Sequence, residues 1–158
     1  MRVLGVDPGL GITGFSILES RKSQLRLAAY GTIKPKPKDS LSKRLNYLFE
    51  EVNKILDKFS PDVLAVEDAF YSKNVKSAMI LGQARGSIIL SAAQADIPVF
   101  EFAPRKVKMS VCGNGAASKE QVSYMVTKIL KLKEPPKPLD VSDAMAVGIC
   151  YINQARFL

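Results

Sequence analysis

Apolar positions along the chain fall first into short runs and then into helical spacing. Val3-Leu4-Gly5-Val6 is an apolar run closed by Asp7, and Pro8-Gly9-Leu10-Gly11 after it reads as a turn. Thr13 to Leu18 forms a second strand, so the start of the chain is a hairpin, and Leu25 to Ile33 forms a third, ended by Lys34-Pro35-Lys36-Pro37-Lys38. Leu41, Leu45, Leu48, Val52, Ile55, Leu56 and Phe59 then recur with helical period, predicting an amphipathic helix from about Ser40 to Phe59 that Ser60-Pro61 stops. Asp62 to Val66 is a buried-type strand ending in Glu67. A long helix rich in Ala, Ser and Gly spans Lys73 to Gln94, Val99 to Phe102 is a further strand, and Pro104 opens a short helical turn. Ser118-Lys119-Glu120-Gln121 is a capping box, because the Ser and Gln side chains can each satisfy an orphan backbone donor of a helix running to about Leu132. Glu134-Pro135-Pro136-Lys137-Pro138 is a stiff break, after which Asp140 opens a final helix. Three meandering strands followed by alternating helices and strands predict an α/β domain with a mixed sheet, a single unit over 1–158.

Two strands end alike, Leu4-Gly5-Val6-Asp7 and Leu64-Ala65-Val66-Glu67. The helix between them allows a crossover that returns the later strand parallel beside the first. Parallel neighbours present their carboxyl ends on one sheet edge, where α/β proteins place ligands. Asp140 and Asp143 stand three apart at a helix start and share a face. The plain reading of that pair is helix capping and dipole complementation, worth ~0.3–1 kcal/mol. Four acids converging without a cation would repel one another, however, and a hard divalent ion with oxygen ligands relieves this. Mg²⁺ fits such a set, and two ions ~3.5–4 Å apart would suit in-line phosphodiester cleavage.

Charge and composition narrow the chemistry. The net charge of +8 favours a polyanionic partner. Its distribution is more telling: Arg21, Lys22, Arg26, Lys34, Lys36, Lys38, Lys43 and Arg44 gather against Asp39 alone, and Arg105, Lys106, Lys108, Lys119, Lys128, Lys131 and Lys133 against Glu120. The chain has no His, which removes the commonest general base and imidazole metal sites. No Lys-Ser or Lys-Thr follows Gly9-Leu10-Gly11, so there is no P-loop. No apolar run is long enough to span a membrane, and Met1 to Asp7 lacks a signal-peptide pattern. A cytoplasmic location is expected, with Cys112 and Cys150 as reduced, packed thiols.

Gly5-Val6-Asp7-Pro8-Gly9-Leu10 with Gly14, Val66-Glu67, Leu81-Gly82-Gln83-Ala84-Arg85-Gly86, Val107-Lys108, Gly113-Asn114-Gly115, Ala117-Ser118-Lys119-Glu120-Gln121-Val122 and Asp140-Val141-Ser142-Asp143-Ala144-Met145-Ala146 together resemble, in order, the RuvC family of crossover-junction endodeoxyribonucleases. The resemblance implies a ribonuclease H-like fold, with a five-stranded mixed sheet flanked by helices. It also implies a homodimer that binds a four-way junction and nicks two strands of like polarity with Mg²⁺ or Mn²⁺, alongside branch-migration motor proteins. Asp7, Glu67, Asp140 and Asp143 match the family's catalytic acids, Phe70 an aromatic that engages junction bases, and Lys108 and Lys119 basic residues near the scissile phosphate. Independently of the family, Phe70 and Tyr71 beside Lys73 and Lys76 suit base stacking with phosphate contact, while Arg85, within the matching motif at 81–86, is a further expected DNA-binding residue. A cation at Lys119 opposes its helix dipole, a cost that a bound phosphate would offset. The helix bearing Ala78, Leu81, Ala84, Ile88 and Ala92 has a core face and small residues suited to a dimer seam.

Three other readings compete. A phosphotransferase of the actin, Hsp70 and sugar-kinase class also carries Asp-Pro-Gly near its start, but needs two such domains. A non-catalytic junction binder gains nothing from four carboxylates facing phosphates. A nuclease of the same fold acting on RNA or another branched substrate keeps all the chemistry and changes only the target.

Overall fold

A computed structural model describes residues 1–69 and 74–157. The described residues form β1 (Arg2–Asp7), β2 (Thr13–Arg21), β3 (Gln24–Ile33), α1 (Leu41–Phe59), β4 (Val63–Glu67), α2 (Val75–Gln94), β5 (Val99–Phe102), α3 (Pro104–Cys112), α4 (Lys119–Ile129) and α5 (Leu139–Ala155). The sheet order is β3-β2-β1-β4-β5: the first three strands are an antiparallel meander, and β4 and β5 add in parallel after helical crossovers. This is the expected mixed five-stranded sheet.

Local chemistry sets the helix ends. Ser40 accepts the Lys43 N–H at the start of α1, and Ser60 turns left-handed (φ 43°) to end it. Asn74 caps α2 by accepting from Lys76 and Ser77. The capping box of α4 closes from both sides, Gln121 N–H to Ser118 Oγ at 3.1 Å and Ser118 N–H to Gln121 Oε1 at 2.8 Å. Two expectations need adjustment. The turn after Pro104 is a nine-residue helix, because Pro occupies its first position, Val107 and Val111 share a buried face, and Gly113 ends it at φ +69°. The helix expected to reach Leu132 stops at Ile129, since Lys131 adopts φ +53° and Leu132 N–H folds back to the Thr127 carbonyl.

The sheet separates two apolar layers. Leu4, Val6, Ile17, Leu64 and Val66 pack with Leu48, Val52 and Leu56 of α1 and Ala84, Ile88 and Ala92 of α2. Val3, Leu18, Ala65 and Phe102 pack on the other face with α3, α4 and α5. Ten residues of α5 are buried, so it is the central helix of that layer. It reaches the sheet because glycine leaves room. A Cβ at Gly5 would collide with the Ala144 carbonyl, and one at Gly14 with the Asp140 carbonyl. Ser16 Oγ donates to that same Ala144 carbonyl at 3.2 Å, on a serine with no exposed surface. No helix among the described residues is long and apolar enough to cross a membrane.

Candidate active site

Strand alternation decides which way the sheet-edge acids face. Val3 packs in the α5 layer, so Gly5 and Asp7 share its face, and Glu67 shares the face of Ala65. Val6 pairs with Val66 in the parallel ladder, so the two strands end level and place Asp7 beside Glu67. On the same side, α5 starts against Gly14 and brings Asp140 and Asp143 over the strand ends. All four acids line one cleft of about 490 Å³, together with Pro8, Gly9, Leu81, Pro104, Lys108 and Lys119.

The site is electrostatically crowded. Burial, then the charges of Glu67 and Asp143, push the Asp7 carboxyl up to about 9, with the hydrogen bond that its protonated form donates to Glu67 and the charge of Asp140 adding to the rise. Burial also raises Glu67, against the hydrogen bond with Asp7, while Asp143 pushes further and Lys119 and Lys108 oppose it. Asp7 and Glu67 thus hold a proton between them. Asp143 is raised by burial, countered by Lys119, whose Nζ lies 3.4 Å from its Oδ2. Burial alone would lower the Lys119 pKa, but Asp143, followed by Asp7 and Asp140, carries it above its ordinary value, so the ammonium stays charged.

Among the described residues no three acids are gathered closely enough to hold a metal ion by themselves; the four stand around an open cleft. The donor set fits a hard divalent cation nonetheless. Every donor is a carboxylate oxygen, and the carboxyls are raised first by burial and then by one another's charge, both of which such an ion would offset.

The other candidates divide. Lys108 and Lys119 line the cleft. Lys76 is exposed in the first turn of α2, outside the cleft lining. Arg85 is ion-paired with Asp68 and, through Nε at 3.5 Å, with Glu101. Phe70, Tyr71 and Lys73 lie outside the described residues. Cys112 and Cys150 are free thiols that burial pushes up, which disfavours the nucleophilic thiolate.

Sequence reasoning missed residues that hold the site in place. Thr13, with no exposed surface, donates through Oγ1 to the Gly9 carbonyl at 2.6 Å and accepts the Gly9 N–H at 3.1 Å, fixing the turn after Asp7. The pair lies four positions apart, which is the only trace it leaves in sequence. Arg44 reaches from α1 to the Leu10 carbonyl at 3.4 Å, a contact that sequence order does not announce. Ser142, between the two helix acids, donates to Ser123 Oγ at 3.2 Å and ties α5 to α4, the helix that carries Lys119.

Comparison with known proteins agrees with this architecture. Residues 3–151 match the family model described as crossover junction endodeoxyribonuclease RuvC. A protein of that name from Finegoldia magna is 45% identical over 157 residues, covering 99% of this chain and 96% of its own. Another from Dictyoglomus thermophilum is 46% identical over 152 residues, 96% of each. The structure described as T. thermophilus RuvC in complex with Holliday junction substrate superposes with a TM-score of 0.93 at 32% identity, covering 99% of this chain and 96% of that one. The yeast mitochondrial Holliday junction resolvase shares the fold at 14% identity and a TM-score of 0.68, over 98% of this chain and 81% of that one. On the strength of a family match over nearly its whole length, this chain belongs to the crossover junction endodeoxyribonuclease RuvC family.

Proposed function

We propose that this chain resolves four-way DNA junctions as a homodimer, each copy nicking one strand by hydrolysis at the cleft formed by Asp7, Glu67, Asp140 and Asp143. The observation that carries this reading is the convergence of four acids and two lysines in one cleft. Mg²⁺ is the expected ion, two per site, with Mn²⁺ an acceptable substitute. A divalent ion held by these carboxylates would polarise the phosphate and make a bound water more acidic.

The chain's own residues account for the remainder. Lys108 and Lys119 neutralise the incoming phosphate, and Lys119 can exchange Asp143 for it because their contact is a loose 3.4 Å. Asp7 must give up its proton for the site to become fully anionic, so occupation by a cation is coupled to proton release. Glycine at positions 5 and 14 keeps Asp140 and Asp143 against the strand ends, so the donors are organised before substrate arrives.

The dimer reading is supported by α2. Val75, Met79 and Leu90 are 76%, 62% and 52% exposed and fall on one side of the helix with Gly82 and Gly86. Small residues there permit close approach of a second copy. The decisive experiment incubates purified protein with synthetic four-way junctions and with linear duplex, with and without Mg²⁺. Paired symmetric nicks confined to the junction and dependent on Mg²⁺ are expected. Equal cutting of linear duplex, or cutting in chelator, refutes the reading.

A further inference from the structure

Arg85 lies among the basic residues that the sequence marks for nucleic acid, yet its guanidinium is turned toward protein. It pairs with Asp68, the residue after Glu67, and with Glu101 on β5. Arg85 and Asp68 are 24% and 25% exposed, so the pair is more than a solvated surface contact, whereas Glu101 is 45% exposed.

The backbone shows what this pairing controls. The β1–β4 ladder ends at Val6 and Val66, so the Glu67 backbone has no ladder partner on β1. Its outer support comes from β5, where Glu67 pairs with Phe102 and the Asp68 N–H donates to the Phe102 carbonyl at 2.8 Å. Alternation turns Asp68 to the face opposite Glu67, the face covered by α2. One turn before Arg85, Leu81 lines the acidic cleft. Arg85 therefore clamps α2, the end of β4 and β5 together beside the strand end that presents Glu67. With two carboxylates already on one guanidinium, the local charge does not favour a phosphate.

We propose that Arg85 is a positioning residue for the nuclease reaction, acting through Asp68 and Glu101 to hold the end of β4 so that Glu67 faces the cleft, and is not a DNA-phosphate contact. This rests on the nuclease reading above. Loosening such a support costs about 10-fold or more in activity or metal affinity.

The test compares Arg85→Met, Arg85→Lys and Asp68→Asn with the wild type. It measures single-turnover cleavage at saturating protein, junction affinity over a salt series, and the Mg²⁺ concentration that half-stabilises the DNA-free protein against heat. Arg85→Met and Asp68→Asn are each expected to slow cleavage about 10-fold and to raise the Mg²⁺ midpoint, with Arg85→Lys between them and the wild type. Junction affinity and its salt slope should stay at wild-type values. A phosphate contact would behave otherwise: Arg85→Met would lower the salt slope by about 0.9 while Asp68→Asn left cleavage intact. That result overturns the proposal, as does wild-type cleavage by both variants. If Arg85→Met does not fold, Asp68→Asn alone decides between the two outcomes. A wild-type protein that nicks no junction refutes the nuclease reading and this assignment with it.

Discussion

Replacing Asp7 by Asn should make the metal-free protein more stable while destroying its cleavage. The Asp7 carboxyl is raised from 3.8 to about 9, so between those values the folded state holds a proton that the unfolded chain releases. The sign follows directly: the associated stability is complete below about pH 4 and is lost as pH rises toward 9. Each unit is worth about 1.36 kcal/mol, so the ceiling on the loss at pH 7 is about 4 kcal/mol. Asp7 is only partly buried and shares its proton with Glu67, which leaves about 1–3 kcal/mol as the expected gain for Asn. An Asn amide can donate to Glu67 as the protonated carboxyl does, without ever becoming an anion. The assay is thermal unfolding in chelator from about pH 5 to 8. For a chain of this length the midpoint should rise by about 3–10 °C at pH 7, and the gain should shrink toward pH 5. Mg²⁺ should stabilise the wild type and leave the Asn variant nearly unmoved. A variant less stable than wild type at pH 7 in chelator, or a gain independent of pH, would refute the reasoning.

Two further predictions follow from named contacts. Lys119→Ala removes the ammonium 3.4 Å from Asp143, and single-turnover cleavage should fall about 100-fold with much less change in junction affinity; parallel losses in both would make Lys119 a simple binding residue. Gly14→Ala drives a methyl into the Asp140 carbonyl, so thermal unfolding should show a loss of about 1–3 kcal/mol and cleavage should fall with it, whereas full activity would mean that the start of α5 need not sit where it does.

Much of this site was legible in local patterns. Two apolar runs each ending in an acid announced Asp7 and Glu67, because buried parallel strands must stop where the chain turns polar. The helical spacing of Leu48, Val52 and Leu56 gave the crossover that makes those strands neighbours. The capping box placed Lys119 in the first turn of α4. The full length of α3 was available from Pro104, Val107, Val111 and Gly113, but a nine-residue segment repeats its period too few times to stand out.

Other features were decided only when the chain folded. Arg85 reads as one more basic residue until β5 and the end of β4 bring Glu101 and Asp68 to it across 16 and 17 positions. Asp140 and Asp143 read equally well as helix-capping acids. They join Asp7 and Glu67 because Gly5 and Gly14 let α5 lie directly on β1 and β2, more than 120 positions away in sequence. Local sequence determines strands, helices and their ends, since backbone hydrogen bonding and side-chain period act over a few residues. Which carboxylates share a cleft, and which cation is already taken, depends on close packing between elements distant in the chain, and that only the tertiary structure could decide.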